Sequence, residues 1–339
     1  MRPFSATDSV SVAIQRTRDF LFRPFSWGTY LKMGLVAIIA EGWGTKLRSS
    51  SKGAHPSSGM GPMIYSPFDI PAVWVAGIVA AVLLALVVSA FLFYLVTRLR
   101  FAFFHCLIHN VKEIRPGWRI YREPATRFFW LNLAVGLCYL LLLALVALPF
   151  ISGFWRLFHD MPPGGHPDLG LLLTLVLPLI PIVLVLVLIG FLADLVLRDW
   201  ILPHYALENA TAGEAWGWVW RSIADEKKEF FVYVLLRVVL PTVATVVLLM
   251  VLLIPGLVLA GALGAIVYAI HGSFAASTGA SAVVGILLQV FFGVVAFFFL
   301  LLASICLGGP VSTGVREYAL TFYGGRYPAL GDVLYPPAA

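Results

Sequence analysis

The sequence predicts an all-α fold, a polytopic helical membrane protein of six transmembrane helices arranged as three hairpins. Three observations predict it. Of the 339 residues, 60% are hydrophobic and only 12% are charged, where a soluble domain carries about 25% charged residues. Mean hydropathy is +0.93, and several uncharged apolar runs exceed the ~18 residues that mark a membrane span. The polar connectors between the runs also echo one another. Residues 100–129 and 198–231 each carry an Asn, a Trp, basic residues and then aromatics, and Tyr205-Ala206-Leu207 recurs as Tyr318-Ala319-Leu320.

So little polar surface excludes a water-soluble globule. Cys106, Cys138 and Cys306 sit in or beside apolar runs without paired spacing, so neither a disulfide framework nor a zinc pattern is indicated. The first 22 residues contain Arg2, Asp8, Arg16, Arg18 and Asp19, which leaves no apolar core for a cleavable signal peptide.

In chain order, residues 1–25 form an N-terminal segment whose helix, 5–22, carries Val10, Ile14, Thr17 and Leu21 on one stripe. Ser5 and Asp8 have capping-box spacing. Such a helix either lies in the membrane interface or packs on the rest of the protein. Pro24 breaks it. The transmembrane domain, 26–310, follows, with spans at about 27–43, 71–97, 128–150, 171–197, 230–254 and 282–307. Trp27, Tyr30 and Lys32 mark an interfacial belt before the first span, and the Ser-, Gly- and Pro-rich residues 45–70 read as a loop. After the second span Phe103, Leu107 and Val111 continue an apolar stripe opposite His105, His109 and Lys112, which predicts a helix bent along the membrane surface and ended at Pro116-Gly117. Pro178 and Pro181 interrupt the fourth span.

Thr211 and Glu214 match the T-x-x-E capping box, in which hydroxyl and carboxylate satisfy reciprocal backbone donors. Ala215, Trp216, Val219, Trp220 and Ile223 then share one face, the pattern of a helix lying on the membrane. The short Gly-rich run 256–271 reads as a seventh span, a re-entrant segment or an extension of the fifth helix. Gly308-Gly309-Pro310 closes the sixth span, and 311–339 is a tail.

Charge placement orients the chain. With both termini inside, all of the 23 basic residues except Lys46, Arg48, Lys52 and Arg156 fall on inner segments, so both termini are expected in the cytoplasm and the protein in the cell inner (plasma) membrane.

Within 198–231, Pro203, Glu208-Asn209, Ala215-Trp216, Arg221-Ser222 and Phe230-Phe231 together form a recognisable pattern. It resembles six-helix bacterial and archaeal families related to the membrane domain of glycerophosphoryl diester phosphodiesterases, and residues 16–37 are similar to the opening of uncharacterised members of that group. The resemblance implies a fold and a membrane location. It carries no functional residues, and spans and connectors account for the whole chain without a hydrolytic domain.

Candidate chemistry is sparse. His105 and His109 have the i,i+4 spacing of a helical metal pair, but Cys106 stands where H-E-x-x-H requires Glu. His159, Asp160, His166 and Asp168 crowd one outer loop, where solvated residues are the commoner outcome. Glu41, Asp194 and Arg237 are the charges within or at the ends of spans, with Arg237 close enough to the interface to snorkel. No phosphate loop, paired catalytic carboxylates or nucleophile constellation is present, so no enzyme activity, cofactor or metal is expected. The basic residues Arg115, Arg119 and Arg122 predict contact with lipid headgroups rather than nucleic acid. The expectation is an integral membrane protein that is not an enzyme and contacts anionic membrane lipids or a membrane protein partner. The alternative is a small-molecule or ion transporter or channel using the proline-broken fourth span and the 256–271 segment.

Overall fold

The structure, a computed structural model, describes residues 4–46, 72–159, 169–274 and 280–336. It is all-helical, and no strand occurs among those residues. Six helical stretches are long and apolar enough to cross a membrane: Val75–Ile108, Arg122–Trp155, Leu172–Leu207, Lys227–Val251, Gly256–Phe274 and Val283–Gly324.

The chain divides into two compact units, residues 1–118 with 226–339, and residues 119–225. The first holds α1 (Asp8–Phe22), α2 (Trp27–Lys46), α3 (Ala72–Ile108), α9 (Lys227–Phe274), α10 (Ala280–Gly324) and α11 (Pro328–Leu334). The second holds α5 (Arg122–His159), α6 (Leu169–Leu195), a π-helical turn Val196–Ile201, α7 (Leu202–Leu207) and α8 (Ala212–Asp225). The short α4 (Ile114–Ile120) runs across the division.

In the first unit α10 packs on α1, α2, α9 and α11. Its C-terminal part is buried from Arg316 to Tyr323, whereas large apolar side chains between Val283 and Leu302 are exposed. On α3, residues 101–104 are buried while Val75 to Phe91 includes a long series of exposed Val, Leu and Ile. The second unit repeats the pattern: Phe128, Trp200 and Tyr205 are buried, and Leu140, Leu145, Leu177 and Leu184 are exposed. Apolar exposure on this scale does not occur on a soluble monomer and marks lipid-facing surface. At 37, 38, 48 and 45 residues, α3, α5, α9 and α10 extend for about 55–72 Å, beyond the ~30 Å of a hydrocarbon core.

Several boundaries differ from the sequence expectation. The 256–271 run continues α9, so two of the six apolar stretches lie end to end on one helix, while α2 is not among the six. Gly308-Gly309-Pro310 does not end a helix, because α10 passes through all three. The two glycines Gly309 and Gly34 instead bring backbones together: a Cβ on Gly309 would lie 2.7 Å from the Gly34 Cα. Pro116 and Gly117 likewise sit inside the first turns of α4, where a missing N–H costs little. Gly117 rests on α3, where a Cβ would stand 3.0 Å from the Ala102 Cα. The stretch after the second span is not spread on a surface, since Phe103 and Leu107 are each 1% exposed.

The first two helices form a hairpin against α10. Going up α1, Phe4 O accepts a bond from Arg326, Arg16 meets Glu317, and Thr17 lies beside Gly314, so α1 and α10 run in opposite senses. The chain turns at Arg23-Pro24 and returns, with Tyr30 Oη donating to Cys306 O at 2.6 Å, Gly34 on Gly309, and Glu41 beside Arg316. Along this contact α2 and α10 run in the same sense, whereas the expected threading has the first and last spans crossing in opposite senses. α1 packs on α10. Its buried face is Ser9, Ala13, Thr17, Phe20 and Leu21, and Ile14 is left 63% exposed.

The connector echo has a structural basis. Asn110 after α3 and Asn209 after α7 both adopt φ of 52°, the left-handed conformation that ends helices and that Asn tolerates better than most side chains. Val111 N–H donates back to Cys106 O at 2.9 Å, and Ala210 N–H to His204 O at 3.3 Å. Each cap is followed by a short helix, α4 or α8, and α10 ends at Gly324 before α11. The Thr211–Glu214 capping box forms, with Thr211 N–H donating to Glu214 Oε2 at 2.9 Å and Glu214 N–H to Thr211 Oγ1 at 3.5 Å. The Thr211 backbone N–H first, and then the Thr211 hydroxyl, hold the Glu214 carboxyl below the usual carboxylate range.

Candidate functional site

A charge buried among apolar side chains is tolerated only when paired and hydrogen-bonded, so buried charges show where long-range contacts are specified. In the first unit they converge on the C-terminal part of α2. Glu41, 8% exposed, receives Arg237 Nη2 of α9 at 3.4 Å and lies 3.8 Å from Arg316 Nε of α10. Arg100 of α3 donates from Nε to the neighbouring carbonyl, Ala40 O, at 2.9 Å. Three arginines from three helices thus meet two adjacent residues of α2.

A second pairing lies on the α1 side. Arg16 Nε donates to Glu317 Oε2 at 2.8 Å, while Nη2 reaches Leu107 O at 3.2 Å and Nη1 reaches Leu334 O at 3.4 Å. Those carbonyls belong to the last turns of α3 and α11, where free C=O groups and the helix dipole favour a cation. Arg326 closes the same unit by gripping Glu226 Oε2 at 2.6 Å and 2.8 Å with its centre 4.0 Å over the Phe322 ring. Tyr233 stacks between Tyr318 and Phe322 at 5.1 and 4.4 Å. This arrangement supplies charge pairing that fixes α1, α2, α3, α9, α10 and α11 against one another.

The second unit has its own buried polar turn. α6 runs through Pro178 and Pro181 unbroken, and the irregularity falls instead on the π-helical turn after it. Leu202 N–H bonds Leu197 O, five residues back, and Pro203, which has no N–H, follows where a helix start needs none. The turn buries Asp199 completely, beside Arg198 at 4.0 Å, and Arg198 also pairs with Asp194 at 3.5 Å. His204 Nδ1 stands 3.8 Å from Glu208 one turn on.

The residues singled out from sequence fall as follows. Arg115, Arg119 and Arg122 are all exposed. Arg237 does not snorkel, since it is 7% exposed and held by Glu41. His105 and His109 pack ring against ring at 4.5 Å. Among the described residues no group of three or more His, Cys, Asp or Glu is placed to share a metal ion. Asp160, His166 and Asp168, with residues 47–71, lie outside the described residues. On α8, Ala215 and Val219 are buried and Trp216, Trp218 and Trp220 are more than half exposed, so the face expected from sequence divides into a buried pair and an exposed Trp flank. Sequence reasoning missed Arg100, Asp199, Arg316 and Glu317. Their positions read as connector because the second, fourth and sixth spans were expected to end near Thr97, Leu197 and Leu307. The periodic apolar positions of 311–323 were the available signal that the helix continues.

A family model described as "Family of unknown function (DUF7544)" matches residues 4–333, and the chain belongs to that family. No curated protein and no solved structure matches it. The expected kinship with the membrane domain of glycerophosphoryl diester phosphodiesterases is therefore not shown.

Proposed function

We propose that the protein is an integral membrane protein, not an enzyme, which contacts anionic lipids or a membrane partner through Arg115, Arg119 and Arg122. One observation carries this reading. Those three arginines are exposed and have no hydrogen bond or ion pair from their side chains among the described residues, whereas Arg16, Arg100, Arg237, Arg316 and Arg326 are engaged within the fold. The exposed Trp216 and Trp220 of α8 support it, because Trp favours the headgroup level. The glycerophosphodiester-related kinship remains part of the proposal and concerns architecture alone.

A cation near an anionic bilayer surface contributes about 1 kcal/mol. Replacing Arg115, Arg119 and Arg122 together with Gln is expected to lower the preference for phosphatidylglycerol over phosphatidylcholine by on the order of tenfold or more, measured by detergent–lipid competition on the full chain. An unchanged preference refutes the headgroup reading.

A plasma-membrane location with cytoplasmic termini belongs to the same proposal and is supported by the distribution of Lys and Arg. Reporter fusions after Arg122, Arg221 and Gly325 are expected to report cytoplasm, and fusions at Gly164 and Gly279 the outside. A cytoplasmic signal at Gly279 overturns this threading.

A transporter or channel is the second reading, and the π-helical turn that buries Asp199 favours it, because π-turns concentrate at functional sites. Flux in proteoliposomes that disappears with Asp199→Asn would select it.

A further inference from the structure

A cleft of about 350 Å³ opens between α1, α9 and α10, within the ~300–1,000 Å³ of small-molecule sites. Its walls are Ile14, Phe22, Leu240, Pro241, Val311 and Val315. Among the described residues its ionisable side chains besides Tyr318 are Arg18 and Arg237, both cationic, and no carboxylate lines it. Arg18 is exposed and has no hydrogen bond or ion pair among the described residues. Tyr318 lines the cleft, is 2% exposed, and its Oη has no hydrogen-bond partner among the described residues.

The cleft lies at a transition along both long helices. On α9, Phe230 and Tyr233 below it are buried and Val246, Val247, Leu249 and Met250 above it are exposed; on α10, Leu320 is buried and Leu300 exposed. An occupant would therefore enter sideways from the lipid-facing length with its polar end toward the packed end. Apolar walls beside an exposed cation, Arg18, that has no hydrogen bond or ion pair among the described residues match an acyl chain ending in a phosphate. We propose that this cleft holds one molecule of an anionic phospholipid, an acyl chain between α1, α9 and α10 and the phosphate on Arg18 at its rim. This site deepens the lipid-contact reading but uses none of Arg115, Arg119 or Arg122.

The test uses the full chain in mild detergent. The probe is phosphatidylglycerol with a diazirine on one acyl chain, followed by peptide mapping and by native mass spectrometry against phosphatidylcholine. One phosphatidylglycerol per chain is expected to persist, with label confined to residues 10–22, 237–244 and 310–318. Ala244→Trp, which fills the cleft from its open side, should lower retention at least tenfold, and Arg18→Gln should abolish the preference over phosphatidylcholine. The variant with Gln at 115, 119 and 122 should keep this lipid, so loss of bulk lipid preference there and loss of the cleft lipid here are separate results. Label outside the three segments overturns the proposal, as does full retention by Ala244→Trp. If Ala244→Trp does not fold, the label map of the unaltered chain decides.

Discussion

Glu41→Leu is expected to destabilise the protein by about 3–5 kcal/mol, the usual cost of leaving a buried charge without its partner. The carboxylate stands between Arg237 Nη2 at 3.4 Å and Arg316 Nε at 3.8 Å, and all three side chains are less than a tenth exposed. Leucine has similar bulk, so the loss reports charge rather than a cavity. Thermal unfolding in detergent, followed by tryptophan fluorescence, is the measurement. Glu41→Gln keeps an acceptor for Arg237 and should lose less. Adding Arg237→Met to Glu41→Leu removes one of the two cations that face the lost carboxylate and should recover part of the loss, though Arg316 stays behind. An unaltered unfolding temperature for Glu41→Leu would mean that the cluster does not hold α2 against α9 and α10.

That cluster also shows what the sequence could and could not display. Whether a connector charge is solvated or buried depends on partners that sequence order does not reveal. Glu41 and Arg237 are 196 residues apart, and Arg16 and Glu317 are 301 apart. Read locally, Arg316 and Glu317 are two polar residues after an apolar run, which is what an ordinary tail would carry. Features settled by neighbours a few residues away were legible. The Thr211–Glu214 box formed as its spacing predicts, and Asn110 and Asn209, the Asn that each echoed connector carries, share one backbone conformation.

Apolar runs were legible as membrane-crossing helix because length and hydropathy alone decide that property. Their partners and directions were not. The stripe Val10, Ile14, Thr17 and Leu21 was sound as helical periodicity, yet the buried face is turned toward Ala13 and Phe20, because α10 rather than a flat membrane surface receives it. The stretch 308–310 carries two opposed signals: glycine and proline together commonly end a helix, and glycine also permits close packing in membranes. Only the presence of Gly34 opposite decides between them.

The same position gives the second large effect. Gly309→Ala should destabilise by about 1–3 kcal/mol, and Gly309→Val by more, as overpacking at a rigid contact does. The added Cβ would lie 2.7 Å from the Gly34 Cα, which is backbone and has no rotamer through which to yield. α2 and α10 would have to separate. Two turns further along both helices stand Glu41 and Arg316, already 3.8 Å apart, so the separation would also weaken that ion pair. Gly293→Ala is the internal control, because nothing lies within 4 Å of its Cβ and it sits on the same helix. There the better helix propensity of alanine should stabilise by up to about 1 kcal/mol. The two alanine variants should therefore move the unfolding temperature in detergent in opposite directions. Equal shifts of the same sign would mean that α2 and α10 do not meet backbone to backbone at Gly34 and Gly309.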